Sequence, residues 1–110
     1  MKRIVFLGDA LDRLRGFPEG ARKEAGVQLH KVQLGLEPSD WKPMASVGPG
    51  VRELRVREEG GAFRVIYLAQ LAEAVYVLHA FQKKTEKTAR GDLDLAGRRL
   101  RTLMSDKGGT

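Results

Sequence analysis

The sequence predicts an α+β fold, a small antiparallel sheet with N-terminal helices packed on one side and a C-terminal helix. Three observations carry this reading. Residues 17–36 place apolar side chains at helical spacing, residues 53–81 hold three strand-like runs parted by turn signals, and residues 92–103 return to helical spacing. A chain of 110 residues has room for one domain with one core. The expected organisation is a single domain over residues 1–105 and a flexible tail over 106–110.

The elements follow in order. Residues 3–7 are β-rich and predict a short first strand. Ala10 to Arg15 fits a short helix. Phe17-Pro18 opens a longer one, because proline suits a helix start and Glu19 complements the dipole there. Ala21, Ala25, Leu29, Val32 and Leu36 form one apolar stripe, with Gly35 and Pro38 ending the helix. Residues 37–50 hold three prolines and two glycines, which predicts a loop without regular structure. Trp41 reads as the anchor of that loop rather than as a base-stacking residue.

Glu53 to Arg57 alternates, with Leu54 and Val56 on one face and Arg55 and Arg57 on the other. Glu58-Glu59-Gly60-Gly61 is a turn, and Phe63 to Leu68 is the return strand. Ala74 to Phe81 is apolar almost throughout, as a central strand covered on both faces would be. A basic segment runs from Lys83 to Arg90. Asp92 is placed as the cap of a last helix bearing Leu93, Ala96, Leu100 and Leu103.

Composition narrows the function. An apolar fraction of 42% with 31% charged residues is the balance of a globular chain rather than a disordered one. The absence of cysteine excludes disulfides and thiolate metal sites and fits a reducing cytoplasm. The N-terminal apolar run meets Asp9 too soon for a signal peptide. Val65 to Phe81 is interrupted by Gln70, Glu73 and His79, so no membrane span is expected. The net charge is +6, of which +4 falls in residues 51–110. That excess suits a polyanionic partner, though a merely basic surface would look the same.

The usual catalytic signatures are missing. His30 and His79 lie on different elements with no metal-ligand spacing, so neither a metal nor another cofactor is expected. No phosphate-binding glycine loop and no nucleophile-elbow serine occurs. What remains is a set of cations. Arg55 and Arg57 share a strand face, Arg64 lies on the paired strand, and Lys83, Lys84, Lys87 and Arg90 leave the end of the next. These can converge on an anion, or they can be a solvated face with Glu53, Glu58 and Glu59 as ordinary cross-strand partners.

Three ordered blocks favour the first alternative. They are Val51 to Arg57, Gly61 to Tyr67, and Val75 to Thr85, with Gly35-Leu36-Glu37-Pro38 and Trp41-Lys42-Pro43 upstream. Together they resemble the phage-derived branch of RelE/HigB toxins over about residues 3 to 103. The resemblance implies a microbial-ribonuclease-like fold with a curved sheet. It implies a toxin that enters the ribosomal A site and cuts mRNA there, restrained by a cognate antitoxin, expected to be a small helix-turn-helix protein. Residues in the family's catalytic positions match Arg55, Arg57, Arg64, and Lys83 or Lys84, and Lys87 and Arg90 are the expected RNA contacts.

The chemistry is consistent with these residue types. RNA cleavage by its own 2′-OH needs alignment, proton transfer and charge stabilisation, not an enzyme nucleophile. Arg64, expected outside the core, can clamp two phosphate oxygens. Crowding should lower the proton affinity of Lys83 and Lys84. The tyrosine or histidine that some relatives of the family place near the start of the last helix is absent, since no aromatic follows Phe81 and no histidine follows His79. His79 is a candidate general base by its titration range, but alternation places it with Val75, Val77 and Phe81 on an apolar face, which favours a structural role. The alternative to the enzyme is a non-catalytic basic module that docks on nucleic acid or on an antitoxin.

Overall fold

The computed structural model describes residues 1–108. In chain order the elements are β1 (Arg3–Phe6), α1 (Ala10–Arg15), α2 (Glu19–Gln33), β2 (Trp41–Pro43), β3 (Val51–Glu58), β4 (Gly61–Leu68), β5 (Ala74–Lys83) and α3 (Arg90–Gly108). The strands form one sheet in the order β1-β5-β4-β3-β2. Strands β2 to β5 are antiparallel, and β1 adds to the free edge of β5 in parallel, so the sheet is mixed at that one edge.

The stripe on α2 buries against one face of the sheet. Ala21, Ala25, Leu29 and Val32 share a core with Leu54, Val56, Val75 and Val77, as their spacing predicts. Leu36 does not belong to it, being 57% exposed. Gly35 adopts a φ of 81° just past the helix, and its N–H donates to Val32 while that of Leu36 donates to Lys31. This Schellman closure turns the chain off the helix axis one residue before the stripe would resume.

Helix α3 covers the opposite face, where Ala96 and Leu100 pack with Ile66, Leu78 and Phe81. Asp92 is not its cap: it lies within the first turn, and Ala89 accepts the leading backbone bonds. The helix also continues through Asp106 and Lys107, where a tail was expected, because Lys107 pairs with Glu73 and lies over the Tyr76 ring. Gly109 and Thr110, the rest of that expected tail, lie outside the described residues.

Two further departures shape the site. The segment expected to be irregular contains β2, which pairs Trp41 with Leu54 and Lys42 with Glu53. Pro43 is tolerated because β2 is an edge strand. In β5, His79 pairs with Ile66 and Val77 with Tyr67, leaving Leu78 as an extra residue in a bulge. The bulge breaks the alternation from which His79 was grouped with Val75 and Val77. Val75 and Val77 face α2, whereas Leu78 and Phe81 face α3 and His79 bonds to Asp92 on α3.

Candidate nucleic-acid interface

Alternation on β3 sends Leu54 and Val56 into the α2 core and leaves Glu53, Arg55 and Arg57 on the α3 face. Antiparallel register then builds rows across the sheet. Lys42 stands opposite Glu53, Arg55 opposite Arg64, Arg64 opposite Phe81, and Ala62 opposite Lys83. The predicted cations Arg55, Arg57, Arg64 and Lys83 therefore gather at one end of the sheet, beyond the apolar contacts of α3. Lys42 joins them from β2, and Lys87 lines the same cleft as Lys42 and Thr88.

Arg64 is not an open clamp. Its side chain is 2% exposed, its Nη1 donates to the Phe63 carbonyl at 3.0 Å, and its Nε stands 3.4 Å from Glu53 Oε1. The expectation that it lies outside the core and grips phosphate in bidentate fashion is corrected accordingly. The row above explains the burial, since Arg55 and Phe81 flank Arg64 on its two neighbouring strands. Burial lowers the proton affinity of Arg64, and Glu53 opposes that effect.

Glu53 is fully buried between cations. Thr88 Oγ1 donates to its Oε2 at 2.7 Å, and Lys42 Nζ lies 3.9 Å from its Oε1. Above this layer Arg55 is partly open, with its Nε 4.0 Å from Asp40 Oδ1, and Arg57 is exposed. Lys83 is half-buried, and its pKa lies below the usual lysine range, first through desolvation and then through Arg64, with Glu53 opposing.

His79 is closed off. It is 1% exposed, stacks on Phe81 with 5.1 Å between ring centres, and its Nε2 meets Asp92 Oδ1 at 2.7 Å. Burial holds its pKa below the usual histidine value, against the pull of Asp92. In this arrangement it ties β5 to α3, so it cannot reach a 2′-OH as a general base.

Two other sequence candidates line other clefts, that of Arg90 sharing Thr88 with the cluster. Lys84 lines a separate cleft with Asp12, Arg13 and Phe17, and Arg90 lines a groove with Ser46 and Arg101. Sequence reasoning missed Lys42, Thr88 and the central place of Glu53. A three-residue edge strand ending in proline has no periodicity to read, and nothing local marks Thr88 as a partner of a residue 35 positions away. Among the described residues, no group of three or more acidic or histidine side chains can hold a metal ion, and no helix is long and apolar enough to cross a membrane.

A family model described as phage derived protein Gp49-like matches residues 12–101. That span contains all three blocks on which the resemblance to the phage-derived branch rests, and the resemblance is borne out. Among solved structures, a double arginine-to-alanine mutant of the E. coli toxin RelE in the free state aligns with a TM-score of 0.64. The alignment covers 93% of this chain and 97% of that one at 14% identity, which shows a shared fold. No curated protein matches the chain in sequence.

Proposed function

The chain belongs to the Gp49-like family of phage-derived proteins, and on that premise we propose that it is the toxin of a toxin–antitoxin pair, a ribosome-dependent endoribonuclease of the RelE/HigB type that cuts mRNA in the A site. The observation that carries the reading is the cation face: Arg55, Arg57, Lys42 and Lys83 surround one spot at the sheet end, with the Arg64–Glu53 pair buried beneath. A phosphodiester fits such a face, and the described groups suit 2′-OH chemistry without a metal.

In this mechanism the 2′ oxygen attacks the adjacent phosphorus as the bond to the 5′ oxygen breaks. Lys83, whose proton is loosened, accepts the 2′ proton as a neutral amine. Arg55 and Arg57 stabilise the charge that develops on the phosphorane oxygens. Lys42 and Lys87, on the same face, are the donors available to the leaving 5′ oxygen. The products are a 2′,3′-cyclic phosphate and a 5′ hydroxyl. The partners are a small antitoxin, expected to carry a helix-turn-helix, together with the ribosome and its mRNA, and the place of action is the cytoplasm.

One observation favours a second reading. Arg64, expected to act on RNA, is buried, as it would be in a module that only docks. Induced expression with mapped mRNA ends separates the two. Growth arrest with cyclic-phosphate ends within translated codons supports the enzyme; RNA retention with intact mRNA supports the docking module.

A further inference from the structure

Buried charges with poor contacts are expensive, and one lies under the cation face. Glu53 Oε1 stands 3.4 Å from Arg64 Nε and 3.9 Å from Lys42 Nζ, yet makes a hydrogen bond to neither. Arg64 Nε and Arg55 Nε are buried nearby and also lack hydrogen-bond partners among the described residues. A well-packed apolar pair would generally serve stability as well or better. Packing therefore does not account for this carboxylate.

Its neighbours do. Lys42 comes from β2, Arg64 from β4 and Thr88 from the segment between β5 and α3, and each meets the carboxyl of Glu53. The charges that act most strongly on Lys83 are Arg64 from β4, Glu53 and Arg55 from β3, and Lys42 from β2. Glu53 is the one acid among them.

We propose that Glu53 is the positioning residue of the cation face: its carboxylate holds Arg64 below the surface, draws Lys42 to the rim, and latches the segment bearing Lys87 over the site through Thr88. The reaction it serves is the ribonuclease step proposed above. The placement itself can be tested without RNA. Glu53 touches no substrate and acts through the cations it arranges.

Glu53→Gln keeps the side-chain shape and removes the charge. Lys83 loses the carboxylate that favours its charged form, so it releases its proton more readily. Titration of lysine side chains by NMR should then show Lys83 deprotonating at lower pH than in the wild type. The limb of the cleavage profile that rises with pH should move the same way. A folded Glu53→Gln variant in which neither moves overturns the proposal. If Lys83 shifts but the wild type leaves ribosome-bound mRNA uncut, the positioning role stands and the ribonuclease reading falls. If Glu53→Gln does not fold, Thr88→Val decides. Loss of the latch should slow cleavage by about tenfold or more with little change in melting temperature, and a rate within twofold of wild type overturns the role.

Discussion

Arg55 and Arg64 stand directly opposite one another on β3 and β4, yet Arg55 keeps 29% of its side chain in solvent and Arg64 only 2%. One arginine can meet a ligand and the other supports the surface from below. The two positions look alike in the sequence, so their variants should separate stability from activity.

Arg64→Ala should destabilise the fold, contrary to what its strand position alone suggests. It strands Glu53 without its closest cation, and breaking a buried pair in this way costs about 3–5 kcal/mol. Arg55→Ala and Arg57→Ala, at more open positions, should stay within about 0.5 kcal/mol of wild type. Arg64→Lys keeps a charge but loses the planar fork that meets both Glu53 and the Phe63 carbonyl, so it too should lose stability. Urea unfolding of the four variants checks the ranking. Equal stability of Arg64→Ala and Arg55→Ala contradicts the buried assignment.

His79 predicts a dependence of stability on pH. Its folded pKa is held below the ordinary histidine value of 6.5, chiefly by burial. Well above pH 6.5 it is neutral in both folded and unfolded chains and contributes no slope. As pH falls below that value, the unfolded chain takes up a proton that the folded one resists, and stability declines until the folded pKa is passed. In His79→Asn that part of the decline should vanish. Melting temperatures across this range check it, and an unchanged slope in the variant contradicts it.

The first core was legible because its signals are local. Ala21, Ala25, Leu29 and Val32 repeat along one helix, and Leu54 and Val56 alternate along one strand, so each pattern needs only its own element. That Arg64 lies on the strand paired with that of Arg55 followed from the turn signal at Glu58 to Gly61, while their direct opposition emerged only in the assembled sheet. What was not legible depends on the assembled sheet. The bulge at Leu78 turns His79 toward Asp92, and β2 exists only because β3 offers it an edge. Burial of Arg64 is set by its neighbours in the row and by Glu53 beneath them. Likewise Lys107, expected in a tail, is held by Glu73 and Tyr76 from another part of the chain.

The antitoxin reading predicts capture of a small partner. With a net charge of +6, association with an acidic segment should be fast at low salt and should slow as salt is added. Co-expression with the neighbouring gene followed by purification checks this, with stopped-flow binding at two ionic strengths. A protein that is harmless when expressed alone and retains no small partner contradicts it.

The most direct test of the cation face measures cleavage and stability on the same variants. Purified wild type, Arg55→Ala, Arg57→Ala and Lys83→Ala are mixed with programmed ribosomes, and mRNA ends are mapped over time. Lys23→Ala, at an exposed pair with Glu19 on α2, is the control. Loss of one preorganised charge contact to a transition state costs about a hundred- to thousandfold in rate. The account predicts losses of that size for the three face variants, unchanged melting temperatures, and a wild-type rate for the control. Cleavage by the face variants at the wild-type rate would place the chemistry elsewhere on the molecule.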